Sequence, residues 1–281
     1  DGEGPRIDRL GGVSWENTKE RVKKSIRDMA EELVAVYAAR EILERKAFSE
    51  PRGLYEEFAA SFEYEETPDQ ARAIEEIHGD MSLAKPMDRL VCGDAGFGKT
   101  EVALRASFRS VMDGRQVAVL TPTTILAEQH YKTFLRRFEP YPVRVEALNR
   151  FKTKAEQEKI VQDLRRGAVD IVIGTHRLIQ KDVRFRNLGL LVVDEEQRFG
   201  VKHKERMKEL KTSVDCLTLT ATPIPRTLNM SLMKLRDMSI LNTAPQNRLP
   251  IETFVMEWNE EVAARAIREE VGRGGQVYYL H

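Results

Sequence analysis

The chain is predicted to be an α/β protein: a doubly wound parallel β-sheet with helices on both faces, preceded by a long α-helical arm. Three observations predict it. Gly93 to Thr100 reads Gly-Asp-Ala-Gly-Phe-Gly-Lys-Thr, which meets G-x-x-x-x-G-K-[ST] at every fixed position. It follows a short apolar run, Arg89 to Cys92, and precedes apolar residues at helical spacing (Val102, Ala103, Ala106, Phe108, Val111), the strand-loop-helix order a phosphate-binding loop requires. Beyond it, continuously apolar runs bounded by Gly, Asp or Pro alternate with helical patterns, as in a parallel sheet buried on both faces. Ahead of it lies one long amphipathic pattern.

Composition bounds the classes of function. Lys plus Arg and Asp plus Glu are both 45 in 281 residues, so the net charge is zero and any nucleic-acid surface must come from local patches. Cys92 and Cys216 each sit at the end of an apolar run and read as buried thiols, not as a disulfide framework or a metal site. No apolar run approaches the roughly 18 residues of a membrane span, and the acidic, Gly-rich start is unlike a signal peptide. The expected compartment is the cytoplasm.

Asp1 to Val13 is polar and Gly-rich. Ser14 can cap a helix whose apolar positions run Val22, Ile26, Met29, Leu33, Val36, Tyr37 and Leu43. Carried to Lys46, it would extend roughly 50 Å. Such an arm either packs along the following domain or links it mechanically to an upstream one. Pro51 and Gly53 set a boundary near residue 50, and Leu54 to Phe62 reads as a short helix. Thr67 caps a helix from Pro68 to about Ile77, with Gln70 completing a capping box. The same Gln70 amide can pair with an adenine edge while Phe62 or Tyr64 offers a stacking face. Strands and helices then follow: Val117 to Leu120 and Thr124 to Phe138; Val143 to Leu148 and Thr153 to Arg166; Ile171 to Ile173; Leu190 to Val193; Cys216 to Leu219.

In such a sheet ligands bind at the carboxyl ends of the strands. In the loop formed by Gly93, Asp94, Ala95, Gly96, Phe97 and Gly98, backbone N–H groups and the start of the helix at Lys99, Thr100 and Glu101 face an anion. Lys99 would reach the β and γ phosphates of ATP, and Thr100 a Mg²⁺ ion. Leu190 to Val193 leads into Asp194-Glu195-Glu196-Gln197, where Asp194 can hold Mg²⁺ and Glu195 can orient and deprotonate a water; the alternative is a solvated acidic turn. Thr220-Ala221-Thr222 can sense the γ phosphate or simply cap a turn. The other strand ends carry Thr121-Pro122-Thr123-Thr124, Asn149-Arg150-Phe151-Lys152 and Gly174-Thr175-His176-Arg177, the neutral and basic groups that bind phosphate oxygens without reading sequence. Each alone is an ordinary cap; together beside an ATP site they predict a DNA track.

The phosphate loop, Thr-Pro-Thr-Thr, Gly-Thr-His, Asp-Glu-Glu-Gln and Thr-Ala-Thr-Pro, in that order, resemble motifs I, Ia, Ic, II and III of superfamily two helicases and translocases. Asp194 to Val201 and Thr220 to Leu228 resemble the branch that holds RecG-type helicases and the bacterial transcription-repair coupling factors, and Leu10-Gly11-Gly12, Trp15 and Ile26 to Leu33 resemble the connector of the coupling factors. The resemblance covers essentially the whole chain. It implies a RecA-like, P-loop NTPase lobe of an ATP-driven double-stranded DNA translocase that pushes stalled RNA polymerase off a lesion and helps recruit nucleotide excision repair. Lys99, Asp194, Glu195 and Gln197 would be catalytic, with ATP and Mg²⁺ as cofactors and with Pro122, Thr123, Thr124, Arg150, Gly174, Thr175, His176 and Arg177 on DNA. The implied organisation is a connector over 1–50, a first motor lobe over 51–245, and a linker with the start of a second lobe over 246–281. In that second lobe Ile251 to Val255, Glu260 to Arg273 and Gln276 to Leu280 would be strand, helix and strand. RNA polymerase and repair proteins would be met by regions outside the chain. A RecG-type branch migrator and a nucleotide-gated DNA-binding module without turnover are the rival readings.

Overall fold

A computed structural model describes residues 15, 17–21, 38, 40, 42–50, 53–199, 207, 210, 212–222, 237–245 and 253–280. The chain divides into two compact units, Asp1–Pro245 and Gln246–His281. In the first, α1 (Leu54–Ala60) and α2 (Pro68–Met81) precede β1 (Asp88–Gly93), α3 (Lys99–Met112), β2 (Gln116–Leu120), α4 (Thr124–Phe138), β3 (Val145–Leu148), α5 (Lys154–Arg166) and β4 (Ile171–Gly174). A 3₁₀ turn (His176–Ile179), β5 (Leu188–Asp194), a second 3₁₀ turn (Glu196–Arg198), β6 (Asp215–Thr220) and β7 (Asp237–Leu241) follow among the described residues.

The strands form one seven-stranded sheet in the order β3-β4-β2-β5-β6-β1-β7, and every pairing is parallel. Successive strand residues point to opposite faces, and both faces are covered. Val117, Val119, Ile171, Ile173, Leu190 and Val192 pack on one side with Phe58, Phe108, Phe134 and Phe138. Ala118, Leu120, Val172, Leu191 and Val193 pack on the other with Ile160, Val161 and Leu164 of α5. That double burial is why the strands read as unbroken apolar runs. Phe58 stacks on Phe108 with centroids 4.2 Å apart, and truncating a fully buried ring of this kind to Ala costs about 3–5 kcal/mol.

β7 was not expected from the sequence. Asp-Met-Ser-Ile-Leu alternates polar and apolar residues, and the strand closes the sheet edge, with Ser239 accepting a hydrogen bond from Arg89 Nη1 at 3.1 Å. The expected arm helix mostly lies outside the described residues. Its predicted end at Lys46 is corrected: residues 43–50 are not helical. Tertiary bonds capture this stretch instead. Arg40 donates to Met87 O and Val214 O, Arg45 makes a two-pronged ion pair with buried Asp215 at 2.7 Å, and Phe48 N donates to Met81 O.

The second unit contains α6 (Glu260–Gly272), capped by Asn259, whose Oδ1 accepts from Glu261 N and Val262 N. The strands expected on either side are corrected: residues 253–256 and 275–280 are not in strands, and 251–252 lie outside the described residues. A strand exists only through a neighbouring ladder, and among the described residues of this unit α6 is the sole regular element.

Candidate nucleotide and nucleic-acid sites

β1 delivers the chain to Gly93, where a Cβ would come within 2.9 Å of Leu241 on β7. Gly96 and Gly98 both stand at φ 80°, the left-handed region open to glycine. A Cβ on Gly98 would lie 2.3 Å from Gln70 Nε2. Gln70 is 2% exposed and forms the capping box its sequence context suggested, Oε1 accepting from Thr67 N, while Nε2 donates to Phe97 O at 2.9 Å and ties α2 to the phosphate loop. Phe62 stands edge-on to Tyr64 at 5.5 Å. Lys99 Nζ donates to Gly93 O at 2.6 Å and Asp94 O at 3.0 Å. Burial lowers its pKa below the ordinary lysine value, against the pull of Asp194 and Glu195, whose carboxylates share the cleft. Glu101 turns elsewhere: its carboxylate accepts from Arg105 at 2.7 Å and Arg137 at 2.9 Å in a buried network that Arg105 extends to Glu66.

β5 ends at Asp194, and Glu195 follows at φ 50°, the sole positive φ outside glycine among the described residues. Holding a non-glycine residue there costs about 1 kcal/mol or more. The surroundings enforce it: Glu195 N donates to Leu219 O, and Glu195 Oε1 accepts from Ala221 N at 2.8 Å. Gln197 Nε2 donates to Glu195 Oε2 and, at 3.1 Å, to Thr222 Oγ1, while Thr222 N donates to Thr220 Oγ1 at 3.1 Å. Of the expected catalytic and coupling residues, Glu195, Gln197, Thr220, Ala221 and Thr222 thus form one hydrogen-bonded chain across the ends of β5 and β6, whereas Lys99 and Asp194 stand outside it. The donor set also suits Mg²⁺. Thr100 offers a hydroxyl and Asp194 a carboxylate near Lys99, and Mg²⁺ typically takes one or two carboxylates with the remaining positions filled by phosphates and water. Asp194 has a further partner that the sequence did not flag, since His130 Nε2 of α4 lies 2.9 Å from its Oδ2.

At the ends of β2, β3 and β4 a cavity of about 440 Å³ is lined by Pro122, Thr123, Thr124, Asn149, Arg150, Gln157, Thr175, His176 and Arg177. All the expected DNA-contacting residues except Gly174 are in that wall. Gly174 is needed behind it, where a Cβ would meet Leu148 O at 2.3 Å. Thr123 caps α4 by accepting from Leu126 N. Arg150 is exposed, whereas Arg177 spends its guanidinium on Asp182 and on Gln157 Oε1. Gln157, also unflagged, braces the lip by donating to Asn149 O and Lys152 O.

Residues 67–231 match the model of the DEAD/DEAH box helicase family. The transcription-repair-coupling factor of Bacillus subtilis (strain 168) is 52% identical over 281 residues, all of this chain and 24% of that protein. That of Staphylococcus aureus (strain NCTC 8325 / PS 47) is 52% identical over 277 residues, 99% of this chain and 24% of that protein. The chain therefore spans about a quarter of the curated relatives it matches, 24%. Among solved structures, RecG bound to a three-way DNA junction superposes with TM-score 0.75 at 37% identity, over 93% of this chain and 36% of that one. The DUF1998 helicase MrfA bound to DNA shares the fold at TM-score 0.58 and 17% identity, over 82% of this chain and 37% of that one. Among the described residues no helix is long and apolar enough to cross a membrane. With the phosphate loop, the acidic strand end and the Thr-Ala-Thr chain all inside the matched segment, the chain belongs to the DEAD/DEAH box helicase family.

Proposed function

We propose that the chain is the first motor lobe of a cytoplasmic, ATP-driven double-stranded DNA translocase of the transcription-repair coupling type. The observation that carries the reading is the hydrogen-bonded chain from Glu195 through Ala221, Gln197 and Thr222, set beside the phosphate loop. Lys99 exchanges its two carbonyl partners for the β and γ phosphates, and the glycine turn presents backbone N–H groups to them. Glu195, held by Ala221 N, orients the attacking water and takes its proton, while Gln197 and Thr222 relay the state of the γ phosphate to the end of β6. Thr100 and Asp194 would hold Mg²⁺, which would supply positive charge against that of the phosphates. Thr123, Thr124, Arg150, Thr175 and His176 grip the DNA backbone without reading bases.

Residues 1–50 act as connector and 246–281 begin a second lobe that must close on ATP before turnover. Through regions outside this chain, the whole protein displaces stalled RNA polymerase and meets excision-repair proteins. Identity of 52% to coupling factors against 37% to RecG favours this reading over a branch migrator. Calorimetry on Lys99→Ala tests the site: its ATP affinity falls at least about 10-fold with the fold intact, since the mobile cation at the phosphates is gone. Unchanged affinity refutes the assignment.

A further inference from the structure

Helix α4 touches both candidate sites. Its N-cap Thr123 and first residue Thr124 line the cavity at the ends of β2, β3 and β4. Its inner stripe is Ala127, His130, Phe134 and Phe138, and His130 is the polar exception, 8% exposed, with Nε2 2.9 Å from Asp194 Oδ2. A carboxylate only accepts, so the imidazole N–H is the donor. Near its other end, Arg137 donates to Glu101 Oε1 in the helix that opens on the phosphate loop. From Thr124 to His130 the helix advances roughly 9 Å as a rigid rod.

A core position needing only volume would hold Leu or Phe. A buried imidazole instead fixes one oxygen of Asp194, leaving the carboxylate with one orientation. We propose that α4 is the strut between the DNA-backbone cavity and the nucleotide site, and that His130 is the positioning residue that aims the Asp194 carboxylate at Mg²⁺. A shift of the Thr123–Thr124 end imposed by a bound phosphate backbone is then felt at Asp194. The proposal rests on the reading of the two sites given above, and it adds a residue and a route to them.

Binding of a fluorescent, non-hydrolysable ATP analogue to the 281-residue chain tests this, in Mg²⁺ and in EDTA, with and without duplex DNA. His130→Leu keeps volume and removes the donor; His130→Gln restores one at similar reach. Partners that orient metal ligands are worth about 10–100-fold in metal affinity. His130→Leu should therefore shrink the tightening of nucleotide binding by Mg²⁺ about 10-fold or more. It should also abolish the shift in nucleotide affinity caused by duplex, leaving affinity in EDTA unchanged; His130→Gln should recover both. A merely structural role would instead move the melting midpoint and the EDTA affinity together. If His130→Leu fails to fold, Gln is compared with His130→Asn, whose amide is too short to reach, and only Gln retains the Mg²⁺ effect.

The idea is overturned if the donor-less variant shows the parent's Mg²⁺ and duplex responses, or if duplex leaves the parent's nucleotide affinity unchanged. Lys99→Ala separates the causes. Unaffected nucleotide binding in that variant overturns the site itself, whereas lost binding there with a normal His130→Leu overturns the strut alone.

Discussion

Replacing Gly98 by Ala probes the closest packing around the phosphate loop. At φ 80° a side chain pays about 1 kcal/mol in backbone strain, and the new Cβ, 2.3 Å from Gln70 Nε2, drives that amide out of place. Gln70 then loses its bonds to Phe97 O and from Thr67 N, each worth about 1 kcal/mol net. The expected loss is about 3 kcal/mol of unfolding free energy, read from urea midpoints followed by circular dichroism. Gly114→Ala is the control, because at φ 71° it has open space within 4 Å and incurs the strain alone, about 1 kcal/mol. Adding Gln70→Ala should make Gly98→Ala cheaper, a coupling that a double-mutant cycle measures directly. ATP affinity should fall with stability, since the displaced amide is the one that ties α2 to the phosphate loop. Equal destabilisation by Gly98→Ala and Gly114→Ala, with additive behaviour in the cycle, would refute the reasoning.

Other outcomes follow from the same geometry. Glu195→Gln keeps the acceptor for Ala221 N but loses the base. In a chain extended through a second lobe it should bind Mg·ATP and DNA yet turn over at least about 10²-fold more slowly, and undiminished steady-state hydrolysis would move the base elsewhere. The 281-residue chain alone should hydrolyse ATP barely at all even with duplex, because a transition-state arginine from an opposing lobe is worth about 10³ to 10⁵ in rate; Lys99-dependent turnover near ~1 s⁻¹ in a phosphate-release assay would contradict that. His78 is held at about 4, below its usual 6.5, by burial and by Arg109 and Arg105. The unfolded chain therefore binds the extra proton, and stability falls as pH drops from 6.5 towards 4, by up to about 1.4 kcal/mol per unit. Asp215, raised by burial to about 6, contributes the opposite slope below that pH, so the readout is the difference between parent and His78→Phe, which should lack the His78 loss. Parallel pH profiles for the two would remove His78 from the account.

Much of this molecule was legible because its chemistry is local. Strands buried on both faces read as apolar runs, and Thr67 announces its helix through a capping box that the structure contains. What escaped the sequence depends on partners far along the chain. β7 is a strand because Arg89 and the edge of β1 accept it, although its own pattern alternates. Residues 43–50 leave the helical pattern because Asp215, 170 residues on, captures Arg45. His130 at helical spacing among Ala127, Phe134 and Phe138 resembles any core histidine, and only the approach of β5 reveals its partner. The terminal strands were expected from the family resemblance, which cannot by itself supply a ladder.

On the proposed function, the strand order separates fuel from track along a single edge. β1, β5 and β6 end at the proposed nucleotide site, whereas β4, β2 and β3 end at the cavity proposed for the DNA backbone, and the border runs between adjacent β2 and β5, a gap of roughly 5 Å. On that reading, residues at the ends of β3 and β4 can be exchanged to suit another polymer without disturbing the nucleotide site, since loops there are anchored on their own strands. A scaffold arranged this way is a chassis that accepts different wheels, and the constraint on refitting falls on α4, which reaches from one side of the border to the other.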